Sequence, residues 1–114
     1  MLYVYGRPKN ISKPSFNLTL EDVAGYNCLF FNPRFHQQVR NAKLKGVWGL
    51  EESHGNFPFH ENEDFELLIV SESYSYQMFV DGMPIPRFPH RIAPGFPVRL
   101  SIDGDIELHS AYVK

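Results

Sequence analysis

The chain is poor in the features that most readily announce a function. It has a single cysteine, Cys28, among 114 residues, so no intrachain disulfide can form and a disulfide-stapled module is excluded. No apolar run approaches the roughly 20 residues needed to span a bilayer, which argues against membrane insertion. The opening stretch, Met1-Leu2-Tyr3-Val4-Tyr5-Gly6-Arg7, has no charged leader followed by a long apolar segment. The expectation is therefore a cytoplasmic protein, with export by a route that needs no signal peptide left open. Eleven basic residues stand against 13 acidic ones, for a net charge of −2. The basic residues form no run, so the electrostatic footprint of a nucleic-acid partner is missing. Asn10-Ile11-Ser12 and Asn17-Leu18-Thr19 match the N-glycosylation pattern, and without a leader the match is read as chance.

Long helical periodicity is also missing, and what is present is β. The length fits one domain over residues 1–114, large enough for a real core. Short runs that alternate or carry β-branched and aromatic residues lie at Leu2 to Tyr5, Phe16 to Leu20, Asn27 to Phe31, Phe65 to Val70 and Tyr74 to Val80. Such runs between turn residues read as strands. In the last of them, Tyr74, Tyr76, Met78 and Val80 are expected on one face. Asp81-Gly82 reads as a tight turn. Val98 to Ile102 and Ile106 to Val113, joined by Asp103-Gly104-Asp105, read as a terminal hairpin. Five of the nine prolines fall between Pro84 and Pro97, a segment that must be edge strand or connection because proline cannot donate to a central ladder. Its Pro86-Arg87-Phe88-Pro89 fits the PxxP pattern of a recognition ligand, but a connection passing between two sheets is the simpler account. Many short strands without intervening helices define an all-β, antiparallel sandwich or barrel.

The chemistry concentrates between Phe30 and Phe59. Asn32 and Arg34 lie two apart, so an extended strand points both to one face. Asn41, Trp48 and Glu51 add an amide, a flat ring and a carboxylate. A sugar presents one apolar face of C–H groups and a rim of hydroxyls that both donate and accept. It therefore needs a ring beneath it and amides, carboxylates and guanidinia around it. Arg34 and Glu51 would also brace each other. Phosphate fits this set poorly, because Glu51 would repel it. A lone tryptophan in a small β domain is more often a core residue, and Asn-Pro is a common turn; it is the combination that points to carbohydrate.

In this order the residues resemble the signature of the galectins. That family has a His-x-Asn-Pro-Arg stretch, a Val-x-Asn stretch, Trp-Gly-x-Glu-x-Arg, and often Phe-Pro-Phe. This chain matches at Asn32, Pro33, Arg34, Asn41, Trp48, Gly49, Glu51 and Phe57-Pro58-Phe59, then at Phe65-Glu66-Leu67, Val80-Asp81-Gly82, Pro89-His90-Arg91 and Gly104-Asp105-Ile106. The resemblance implies a two-sheet antiparallel β-sandwich of the jelly-roll, concanavalin-like kind, N-terminally short by an edge strand or two. It implies β-galactoside binding without metal or other cofactor, with Asn32, Arg34, Asn41, Trp48 and Glu51 as carbohydrate-binding residues. The partners it implies are glycans or glycoproteins with terminal β-galactose, bound by a monomer or a homodimer. His90 beside Arg91 resembles a structural position of the family.

Three positions depart from the pattern. Phe30 stands where the family has the histidine that contacts the axial 4-hydroxyl of galactose. Ser53 stands where the family's motif closes with arginine. The segment between Phe35 and Asn41 reads as a short loop, from which His36 could reach the site. The expected function is a lectin of galectin type with weak or altered binding of lactose and N-acetyllactosamine. The alternative is a galectin relative that has lost sugar binding and acts as a structural or protein-interaction module. Catalysis is not expected. Glu51 and Glu52 are adjacent and point apart on a strand, whereas glycoside hydrolysis needs two carboxyls across one bond, about 5–10 Å apart. No serine or cysteine has an evident base partner.

Overall fold

A computed structural model describes residues 1–9, 16–34, 37–60, 62–92 and 99–114. Ten strands run through them: β1 (Leu2–Pro8), β2 (Phe16–Glu21), β3 (Asn27–Arg34), β4 (Gln37–Leu44), β5 (Val47–Trp48), β6 (Phe65–Ser71), β7 (Ser75–Val80), β8 (Met83–Pro89), β9 (Arg99–Gly104) and β10 (Ile106–Val113). They form two five-stranded sheets, ordered β10-β1-β6-β7-β8 and β5-β4-β3-β2-β9, with every pairing antiparallel. The protein is a two-sheet β-sandwich, and no helix occurs among the described residues.

Side-chain alternation turns the apolar residues of most strands inward. Val4, Leu18, Leu29, Phe31, Leu67, Met78 and Phe88 are almost fully buried between the sheets. Phe59 sits at the centre of an aromatic cluster. Its ring lies 5.0 Å from Phe65, 5.7 Å from Phe16 and 6.0 Å from Phe31, centroid to centroid. The first two contacts are edge to face, the arrangement that ring quadrupoles favour. This residue nails the extended segment 49–60 into the core, and that segment carries Glu51.

Two tight hairpins are set by local chemistry. Asp81 and Gly82, with φ of 51° and 81°, join β7 to β8. Lys45 and Gly46, with φ of 53° and 76°, join β4 to β5. Positive φ at both central residues gives each loop a twist that matches the flanking strands.

Four local readings are corrected. The last two strands are not a hairpin: β9 pairs with β2 in one sheet and β10 with β1 in the other. Asp103-Gly104-Asp105 therefore crosses between sheets. Residues 83–89 of the proline-rich segment form an edge strand rather than a connection, and the rest of that stretch falls partly outside the described residues. The expected loop before Asn41 is mostly β4, with only residues 35–36 between the strands. Tyr74 lies outside β7 and is 87% exposed, so it does not share the buried face of Tyr76, Met78 and Val80.

Candidate carbohydrate-binding site

The site is built on the outer face of the β5-β4-β3-β2-β9 sheet. Register places Phe30 opposite Asn41 and Lys43 opposite Trp48. The two-residue turn at Lys45-Gly46 thus folds Trp48 back beside the strand that carries Asn41. Phe30, Arg34, Asn41, Trp48, Gly49 and Glu51 line a cleft of about 390 Å³.

Trp48 is 45% exposed. Its ring meets Phe30 edge to face at 4.8 Å and 64°, and the Lys43 ammonium lies 5.4 Å from its centroid. An exposed indole with one apolar wall can take the C–H face of a sugar. Beside it, Arg34 Nη2 donates to Glu51 Oε1 at 2.5 Å. Both side chains are partly exposed, so the pair adds little to stability. Its effect is to hold a fixed donor and acceptor array at the cleft wall.

Asn41 is 4% exposed and tightly bound. Its Nδ2 donates to Gly49 O at 3.0 Å, and its Oδ1 accepts from the Ala42 amide at 2.8 Å and from Arg91 Nη1 at 2.7 Å. Arg91 also donates through Nη2 to Leu50 O at 2.6 Å and to Glu52 at 3.2 Å, and it covers the Phe88 ring at 4.6 Å. Gly49 permits this approach, since a Cβ there would fall 2.5 Å from Arg91 Nη1.

Asn32 is 5% exposed, and its Nδ2 donates to Phe16 O at 2.6 Å. It lies on the strand that carries Phe30 and Arg34 but does not itself line the cleft. Ser53 is half-buried in the segment that follows Glu51. His36 lies outside the described residues.

Behind the site, Arg40 is completely buried. It exchanges both backbone hydrogen bonds with Glu52, and its guanidinium donates to Gln38 O, Gln38 Oε1, and the His54 ring and carbonyl. Burial lowers the Arg40 pKa, and the Glu52 carboxylate opposes that shift. Arg40 and Arg91 therefore tie the Glu51-bearing segment to the sheet from two sides. Neither role was readable locally: Arg91 is 50 residues from Asn41 in sequence, and Arg40 stands in a mostly polar stretch.

A cleft of about 290 Å³ at another edge of the sandwich is lined largely by apolar residues, among them Leu2, Leu20, Ile69, Leu100 and Val113. Its polar lining is Ser71, Tyr76 and Arg99, with neither a carboxylate nor an amide side chain among them. No group of three or more His, Cys, Asp or Glu among the described residues could hold a metal ion. No helix long and apolar enough to cross a membrane occurs among the described residues.

A two-sheet sandwich of this kind has relatives of known family. A family model described as galactoside-binding lectin matches residues 1–113. The chain is 39% identical over 109 residues to a 32 kDa beta-galactoside-binding lectin of Haemonchus contortus, covering 94% of this chain and 38% of that protein. It is 36% identical over 115 residues to a 32 kDa beta-galactoside-binding lectin of Caenorhabditis elegans, covering 99% and 41%. The crystal structure of Caenorhabditis elegans galectin LEC-6 superimposes with a TM-score of 0.87 at 30% identity, covering 99% of this chain and 80% of that one. The chain belongs to the galactoside-binding lectin family, the galectins. It spans about two fifths of the length of those two lectins.

Proposed function

We propose that this chain is a glycan-binding module that takes β-galactosides in the Trp48 cleft, with weaker affinity and less selectivity for galactose than the full family motif would give. The observation that carries the reading is the half-exposed Trp48 ring set against the Arg34–Glu51 pair and Asn41 in one cleft. A platform for C–H groups and a polar rim for hydroxyls are what a pyranose requires. The partners are glycans or glycoproteins ending in β-galactose. Tethering of Glu51 to Arg34 and of Glu52 to Arg91 supports a binder rather than a catalyst.

Phe30 supports the weakening. It puts an apolar ring where the family has a hydrogen-bonding histidine, and Ser53 leaves out a guanidinium. A disaccharide of about 23 heavy atoms has a ceiling near ~7 kcal/mol, at about 0.3 kcal/mol per atom. Losing one neutral and one charge-assisted hydrogen bond removes about 2–4.5 kcal/mol. About 2.5–5 kcal/mol remains, a dissociation constant of a few tenths of a millimolar at the tightest and above millimolar over most of that range.

The second reading is a family member acting as a protein-interaction module, favoured by the Phe30 ring packed on Trp48. Retention on lactose, N-acetyllactosamine and asialo-glycoprotein resins separates the two. Retarded elution that vanishes in Trp48→Ala supports the lectin. Elution in the void volume from all three supports the interaction module.

A further inference from the structure

We propose that Arg91 fixes the Asn41 side chain as a one-way hydrogen-bond donor to the ligand, and so decides which oxygen of the sugar the cleft accepts. The inference rests on the carbohydrate reading above and adds to it a residue outside the cleft lining.

A carboxamide has two N–H donors and one oxygen with two lone pairs. In Asn41 both lone pairs are taken, by Arg91 Nη1 at 2.7 Å and the Ala42 amide at 2.8 Å. One Nδ2 hydrogen goes to Gly49 O at 3.0 Å. Rotating the amide by 180° would set its NH₂ against two donors and its oxygen against a carbonyl, three repulsive contacts in a buried place. The orientation is therefore unique, and the one donor left over on this cleft-lining residue is a single N–H. A ligand must meet it with an acceptor: an ether oxygen, or a hydroxyl whose own proton points elsewhere.

Arg91 enforces this arrangement. Its planar fork reaches Asn41 with one nitrogen and Leu50 O with the other, and Glu52 and the Phe88 ring fix its plane. A lysine has one nitrogen and cannot span both partners. The absence of a side chain at Gly49 admits the guanidinium. Arg91 thus acts through Asn41 as a positioning residue.

The test titrates the protein with N-acetyllactosamine and with deoxy and deoxyfluoro lactosides, since fluorine keeps some acceptor character and cannot donate. At one sugar position the wild type should bind the fluoro analogue severalfold better than the deoxy analogue. Arg91→Lys should weaken N-acetyllactosamine binding on the order of tenfold, the equivalent of about 1.4 kcal/mol, and flatten the fluoro-to-deoxy ratio. Gly49→Ala should do the same by displacing Arg91 while keeping its charge. In an Asn41→Ala background, Arg91→Lys should add little, because the two act as a unit. Additive losses, or an unchanged fluoro-to-deoxy ratio in Arg91→Lys, would overturn the proposal. If the wild type binds no sugar of the panel, the lectin reading itself fails. The side-chain amide signals of Asn41 in ¹⁵N spectra then decide the Arg91 claim, and signals unmoved by Arg91→Lys sink it.

Discussion

Phe30 and Trp48 meet edge to face with ring centroids 4.8 Å apart, so the proposed sugar platform is walled by an apolar ring rather than by a hydrogen-bonding group. Discrimination between an axial and an equatorial 4-hydroxyl needs a polar partner. The wild type should therefore prefer galactosides over glucosides only slightly. Phe30→His should strengthen lactose binding by about 0.5–1.5 kcal/mol, the worth of one neutral hydrogen bond, and sharpen that preference. Calorimetric titration of the wild type, Phe30→His, and Phe30→His with Ser53→Arg measures both effects. No gain in either variant would favour the protein-interaction reading.

Phe59 joins the fold to the site. It is buried against Phe16, Phe31 and Phe65, and the segment it anchors presents Glu51. Phe59→Ala should cost about 3–5 kcal/mol through lost burial and a cavity, a large share of the stability of a domain this size. Urea denaturation measures the loss. A change below about 1 kcal/mol, the cost of a surface substitution or less, would contradict the anchoring role.

How much of this was legible in the sequence depended on the range of the determining contacts. Asp81-Gly82 was readable because a two-residue turn is decided by its own φ requirement. The partners of β9 and β10 were not: adjacent strands joined by a turn usually pair, and only packing across the sandwich sends them to different sheets. β4 escaped notice because Gln38, Arg40 and Asn41 are polar yet buried, which breaks the expected alternation. Trp48, Arg34 and Glu51 were legible as a set through motif order, and the structure brings them to one cleft. Arg91 was not legible as a site element, because nothing near Asn41 in sequence points 50 residues ahead.

Two surface carboxylates, Asp64 and the half-buried Glu72, give the chain an acid sensitivity. Hydrogen bonds from Arg7 and then His109 hold the Asp64 carboxyl below its ordinary value of 3.8, and Arg87 with Ser75 holds Glu72 below 4.5. With folded values depressed, the unfolded chain binds more protons in acid. The stabilisation is complete above those ordinary values and fades as pH falls through the lower folded ones. Urea midpoints should hold steady from pH 7 to 5 and then decline, less steeply in Asp64→Asn. An identical acid decline in that variant would contradict the assignment.

Cys28 is 6% exposed, and burial, followed by the Asp22 charge, raises its thiol pKa. A thiol that is buried and protonated is a poor nucleophile. Native protein should react with a thiol reagent far more slowly than protein in denaturant. Equal rates would show that β3 opens freely.

Trp48 is the proposed floor of the β-galactoside site. As the single tryptophan, half exposed in the cleft, it reports directly on its own occupancy. Titrating N-acetyllactosamine while following tryptophan emission, with calorimetry of wild type and Trp48→Ala in parallel, is the most direct measurement. A saturable emission change is expected, with a dissociation constant between about 0.2 and 15 mM, and no measurable heat of binding in Trp48→Ala. Binding undiminished in Trp48→Ala would place the sugar elsewhere and contradict it.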